Sequence, residues 1–255
     1  MKNFVISLNS ALDRREHIKC EFSLKNVTFE FFDAIQPYTL EKAENEFDLS
    51  LANSKLTENE KSCFMSHFVL WNRAVTENLD YIAIFEDDIY LSDSSDKFLN
   101  SSDWLDVEII KIEKTTKSVL IKNKVNKEFK GNKFILGELK SSHMGAGGYI
   151  LSLKAVKSLI DFVKEQKTLD HVDQIIFDWY RNQGEYKVFQ LSPVLCIQDC
   201  ILYPKSQKFQ TSLQWRDKKK AKMEWWKKIN RELIRVIVKL IELPYKVSLT
   251  FKGGK

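Results

Sequence analysis

The chain has 255 residues, of which 44% are hydrophobic and 29% charged, with a net charge of +5. That composition is ordinary for a globular protein with a sizeable core, and the length suits one α/β domain with an appendage. No run of about 20 apolar residues occurs, which excludes a transmembrane helix, and the apolar opening at 4–8 is too short for a secretory signal, so a cytoplasmic protein is expected. Charge is distributed unevenly: residues 205–255 hold 15 Lys/Arg against 4 Asp/Glu, whereas residues 1–204 hold 25 against 31. An acidic body and a basic tail need separate explanations, and the boundary is expected at 204/205. Cys20, Cys63, Cys196 and Cys200 include no Cys-x-x-Cys pair and read as reduced thiols.

In chain order, residues 4–8 form an apolar run that predicts a first strand, ending at a turn. Residues 13–24 have helical composition, with Ile18 and Phe22 four apart on one face. Residues 27–32 are aromatic and β-branched and predict a second strand. Thr57 followed by Glu60 is a capping box. It opens a helix on which Phe64, Phe68, Trp71 and Val75 share a buried face. Residues 81–85 are continuously apolar, as in a strand covered on both faces of a mostly parallel sheet. Residues 107–112 predict another strand, and 118–138 short strands or hairpins. Gly145-Ala146-Gly147-Gly148 leads into a strand at 149–152. Helices are expected over 153–164 and 172–182, then a strand over 187–191. Strands alternating with helices predict an α/β sheet with crossover helices.

The most informative stretch is Glu86-Asp87-Asp88, directly after the apolar run 81–85. Open α/β sheets bind ligands at the carboxyl ends of their strands. Three adjacent like charges repel unless solvent or a cation compensates. Hard divalent cations take oxygen ligands, and Mn²⁺ or Mg²⁺ uses one or two carboxylates together with substrate phosphates. Asp88, with Glu86, is the expected metal site, and a solvated acidic turn is the plain alternative. Arg14 and Arg15, just after the first strand, suit phosphate oxygens, although a charged first helical turn explains them equally.

These blocks together resemble glycosyltransferase family 25, the lipooligosaccharide galactosyltransferase group of Gram-negative bacteria. The likeness runs in order through Phe4-Val5-Ile6-Ser7-Leu8 with Asp13-Arg14-Arg15, then Phe32-Asp33-Ala34-Ile35. It continues through the helix from Leu56 to His67, the Phe85-Glu86-Asp87-Asp88 turn, and the strand from Gly145 to Ser152. Asn59 stands where the family has glycine, and residues beyond Tyr203 lie outside the likeness. The resemblance implies a GT-A type, Rossmann-like fold that binds a UDP-sugar, most readily UDP-galactose, and transfers the hexose with inversion. It implies a donor site drawn from Ser7, Leu8, Arg14, Arg15, His67, Glu86, Asp87, Gly147 and Gly148, with Gln198 and Asp199 nearby. The implied acceptor is a lipid-linked oligosaccharide.

Inverting transfer needs a carboxylate to take the acceptor's hydroxyl proton. Asp173, at the start of the 172–182 helix, is the expected base, beside the plainer reading of Asp170 and Asp173 as helix caps. His67 reads equally as a core histidine, and His143 is more simply a loop residue than a further metal ligand. Gly145, Gly147 and Gly148 are expected to let the backbone approach the sugar. From Lys218 to Leu243, Trp226, Ile229, Leu233, Ile237 and Leu240 line one helical face and Lys228, Arg231, Arg235 and Lys239 another. Such a helix suits the headgroup layer of an anionic membrane, with nucleic acid the weaker partner because the apolar stripe would have no use there. Two other functions stay open. One is a metal-dependent nucleotidyltransferase that makes a nucleotide sugar. The other is a non-catalytic adaptor bound through the basic tail.

Overall fold

A strand with every position apolar is stable only where both of its faces are covered. In the computed structural model, which describes residues 1–209 and 240–253, two such runs pair side by side. Strand β1 (Lys2–Ser7) lies parallel to β2 (Glu30–Asp33) on one side and to β3 (Tyr81–Glu86) on the other. Helix α1 (Leu12–Leu24) makes the first crossover, α2 (Pro37–Phe47) follows β2, and α3 (Glu58–Thr76) makes the second. The Thr57–Glu60 capping box is formed in both directions at the start of α3. Alternation along the strands sends side chains to two cores. Phe4, Ile6, Ile82 and Ile84 pack with Phe64, Phe68 and Trp71 of α3, whereas Val5, Ala83 and Phe85 pack with Ile18 and Phe22 of α1.

After β3 come β4 (Ile89–Leu91), α4 (Ser95–Leu99), β5 (Ile109–Lys111), β6 (Glu113–Lys114), β7 (Ser118–Phe129) and β8 (Asn132–Leu139). Then follow β9 (Gly148–Ser152), α5 (Leu153–Glu165), β10 (Val188–Ser192), β11 (Cys196–Gln198) and β12 (Lys246–Ser248). Among the described residues the main sheet runs β12-β7-β8-β10-β5-β9-β3-β1-β2, and β4-β11-β6 form a small second sheet.

The fold is α/β with a Rossmann-like half at β1–β3, the class that the sequence and the family resemblance imply. Three details differ from the sequence reading. Strand β9 is antiparallel to both β3 and β5, so the sheet is mixed. Residues 118–138 form one long hairpin, β7–β8, turning at Lys130-Gly131, where both residues have positive φ. Helix α2 was not expected; it starts at Pro37 with a Gln36–Thr39 capping pair.

Described residues beyond the boundary expected at 204/205 pack against residues before it. Phe209 is buried, and β12 pairs antiparallel with β7. Beyond it Leu249 is 2% exposed and Phe251 bridges to Val194. Most of the expected amphipathic helix lies outside the described residues; of its end, Leu240, Ile241 and Leu243 are exposed.

Candidate active site

The carboxyl ends of β1 and β3 meet at the acidic triple, and its three carboxylates have different surroundings. Asp87 is held on both oxygens: the Ser7 hydroxyl donates to Oδ2 at 2.7 Å and Arg14 Nη1 donates to Oδ1 at 2.6 Å. Glu86 accepts from Gln198 Nε2 at 2.6 Å. Among the described residues, Asp88 receives a single long bond from the same amide, at 3.3 Å, and lies 4.0 Å from Arg14. The Asp88 carbonyl is fixed by the Asp199 N–H at 2.8 Å. Arg15 does other work. It donates to the carbonyls of Ser7 and Leu8 at 3.1 Å and pairs with Asp33, so it ties the end of β1 to the end of β2.

Beside the triple runs the approach to β9. The Gly145 N–H donates to Asp173 Oδ2 at 2.8 Å, and the Gln174 N–H donates to Asp173 Oδ1 at 2.9 Å. Two backbone donors therefore fix this carboxylate. Asp173, Gln198, Gly145 and Thr115 line a cavity of about 900 Å³, whose far wall is Leu243 and Lys246 from the returning chain end. Beneath it lies a buried pair that the sequence reading missed: Lys111 Nζ sits 3.0 Å from Glu113, both side chains fully buried. Glu113 also accepts from the Gly147 N–H at 3.1 Å, and Lys111 donates to the Gly145 carbonyl. The pair thus holds the glycine segment. Charges alternating with isoleucine over 109–113 are the one sequence signal for it.

The glycines serve packing within the chain. A Cβ on Gly147 would meet Glu113 Oε1 at 2.7 Å, and one on Gly148 would meet Cys196 Sγ at 2.1 Å. The direction that a side chain would take from these two positions is filled by Glu113 and Cys196.

Electrostatics separate the three acids further. Burial, then Asp88 and Glu113, push the Glu86 carboxyl well above its usual range. Burial raises Asp88 to about 6, against the opposing pull of Arg14. Two crowded carboxylates with unfavourable ionisation, one with oxygens only loosely engaged, suit a hard divalent cation. The residues present therefore fit Mn²⁺ or Mg²⁺ at Asp88 with Glu86 beside it.

His67 lies under this surface, fully buried, with Nδ1 2.7 Å from the Tyr149 hydroxyl. Burial lowers it to about 3, so it is neutral. His143 has both ring nitrogens engaged, with Gln190 at 2.7 Å and the Thr115 N–H at 3.4 Å, which suits the loop reading. Asp199 is fully buried and accepts from the N–H groups of Lys208 and Phe209, folding that segment over Arg14. Among the donor-site residues expected from the family, Ser7, Arg14, Glu86 and Asp87 come together, with Leu8 and Arg15 adjoining. His67, Gly147 and Gly148 lie beneath them.

Residues 1–176 match the model of glycosyltransferase family 25, described as LPS biosynthesis protein. The lipooligosaccharide biosynthesis protein lic2B of Haemophilus influenzae is 39% identical, over 96% of this chain and 92% of its own length. The lacto-N-neotetraose biosynthesis glycosyltransferase LgtB of Neisseria meningitidis serogroup A is 39% identical, over 78% of this chain and 75% of its own. Among solved structures, a glycosyltransferase involved in glycosylation of the major capsid of PBCV-1 has a TM-score of 0.44 and 9% identity, over 78% of this chain and 93% of that one.

Proposed function

Because the chain belongs to glycosyltransferase family 25, we propose that it transfers a hexose, with inversion, from a UDP-sugar onto a lipooligosaccharide glycan. Galactose is the first donor to test. The observation that carries this reading is one constellation. A carboxylate triple and Arg14 stand at the carboxyl ends of β1 and β3, and Gln198 joins them to the cavity that Asp173 lines. The names of the relatives support a glycan acceptor.

In this reading Arg14, oriented by Asp87, binds the donor diphosphate. Asp88 with Glu86 would hold Mn²⁺ or Mg²⁺, and that charge would offset the one developing on the leaving diphosphate. The acceptor hydroxyl enters the cavity beside Asp173. Its oxygen forms the new bond to the anomeric carbon as the bond to the diphosphate breaks, and its proton passes to the Asp173 carboxylate. UDP departs with the electron pair of the broken bond.

Residues 210–239 carry ten Lys/Arg and three Asp/Glu. Together with the exposed Leu240, Ile241 and Leu243, that balance supports peripheral attachment to an anionic membrane on the cytoplasmic side, where a lipid-linked acceptor resides.

The test is UDP release by the full chain from UDP-galactose, UDP-glucose and UDP-N-acetylhexosamines, with Mn²⁺ and a short soluble glycan acceptor. Acceptor-dependent release, greatest with UDP-galactose and giving an inverted product, is expected. Asp88→Asn should lower turnover by at least about a hundredfold, the scale of a lost charge-stabilising group. Absence of acceptor-dependent release with every donor would overturn the reading, and unchanged turnover in EDTA would remove the metal from it.

A further inference from the structure

Two side chains under the acidic turn, Cys63 and His67, have no part in the transfer just described. Cys63 and His67 are four residues apart on α3 and share one face of that helix. Glu86 reaches the same place from the end of β3. A Cys63 sulfur, a His67 ring nitrogen and a Glu86 carboxylate oxygen all lie within 4.8 Å of one another. His67 Nε2 is buried and has no hydrogen-bond partner among the described residues. Its Nδ1 is already bonded to the Tyr149 hydroxyl, which also accepts from Trp71 Nε1 at 3.1 Å. In the Nδ1–H tautomer, His67 donates to Tyr149 and keeps the Nε2 lone pair available to an ion.

We propose that Cys63, His67 and Glu86 form a second metal site, for a borderline-soft divalent cation of the zinc type, separate from the hard-cation position at Asp88.

The ligand chemistry selects the ion. Thiolate and imidazole favour zinc over magnesium, calcium or manganese, and three protein ligands with one open position are a common zinc arrangement. The Tyr149 hydroxyl on Nδ1 is the outer contact that fixes a ligating ring and its tautomer. Cys63 and Glu86 are only partly buried, which leaves a way in. Zinc bonds of about 2.0–2.3 Å set neighbouring ligand atoms roughly 3.3–3.8 Å apart, so the group closes by at most about 1.5 Å on binding. In that step the Cys63 thiol loses its proton to solvent as the sulfur–metal bond forms, and one ion binds per chain. Glu86 is then the carboxylate common to both positions, beside Asp88 at one and with Cys63 and His67 at the other.

Cobalt(II) reports the site because its bond to a thiolate gives a charge-transfer absorption that oxygen ligands do not. Titrating the metal-free full chain with Co²⁺ in excess Mg²⁺ should give that absorption, saturating at one equivalent. It should vanish in Cys63→Ser, weaken at least tenfold in affinity in His67→Asn, and persist in Cys200→Ser and Asp88→Asn. X-ray absorption of the zinc-loaded unmodified chain needs no variant and should show one sulfur among nitrogen and oxygen neighbours. Absence of the charge-transfer band, its persistence in Cys63→Ser, or a zinc ion with no sulfur neighbour would overturn the proposal. None of these readouts depends on glycosyl transfer.

Discussion

At the end of β3 three adjacent carboxylates have three different surroundings, and that division is what makes the site usable. Ser7 and Arg14 occupy Asp87, Gln198 occupies one oxygen of Glu86, and Asp88 is left loosely engaged. Folding therefore holds Asp88 in a place that disfavours its ionised form. The folded-state value near 6 lies above the unfolded value near 4, so its contribution to stability is present below about pH 4 and lost as pH rises through about 6. A shift of two units corresponds to about 3 kcal/mol, and sharing the proton with Glu86 reduces it. Buried neutral His67 and His143, both lowered to about 3 chiefly by burial, act in the opposite sense, losing stability as pH falls below about 6.5. The useful quantity is thus a difference. Urea unfolding in EDTA should show Asp88→Asn gaining about 1–3 kcal/mol relative to the unmodified chain between pH 4 and pH 7. A constant difference across that range would mean that Asp88 ionises freely. Asp173 calls for a kinetic test: Asp173→Asn should cut kcat by about a hundredfold or more and leave the KM for the UDP-sugar within a factor of about three. A loss confined to donor KM would assign Asp173 to binding. The triple was legible because like charges rarely adjoin in sequence after an apolar strand. Lys111 and Glu113 were not, since a charged pair inside a strand reads as surface until the partner across the fold is seen.

Elements were legible in proportion to how local their causes are. Helix α3 announces itself through the Thr57–Glu60 box and its aromatic stripe, and both are present as read. Helix α2 has no such signal, because Gln36 is an unusual cap and the burial of Leu40 and Ala43 depends on packing against α3. The antiparallel setting of β9 was hidden for the same reason: an apolar strand carries no direction in its composition. Where β9 begins, the closeness of Gly148 to Cys196 gives a test of packing. Gly148→Ala should destabilise by about 1–3 kcal/mol, the usual range for overpacking, and Cys196→Ala should restore most of that in the double variant. Thermal unfolding of the four chains reads the coupling. Additive losses would show that the overlap is relieved by backbone movement rather than by the thiol.

At the scale of the molecule, the α/β class and the Rossmann-like strands β1–β3 were evident, while the closing of the sheet was not. Strand β12 has only three residues and finds β7 more than a hundred positions earlier, so no window of sequence contains the pairing. The basic composition of 205–255 drew that whole span into one reading, although its two ends have different work. Phe209 is held against Asp199 near Arg14, and the far end is seated through β12, Leu249 and the bridge from Phe251 to Val194. A backbone moored at both sides of a segment does not depend on that segment's covalent continuity. A single engineered protease cut between 210 and 239 should therefore give two bands on a denaturing gel and one particle on a sizing column. Low denaturant should then release the short fragment before the larger one unfolds. Immediate separation of the two pieces in buffer would show that the last strand stays in place only because it is tied there. If the nicked form holds, the protein is in effect a two-piece assembly supplied as one chain, and its basic segment can be exchanged for another without rebuilding the sheet.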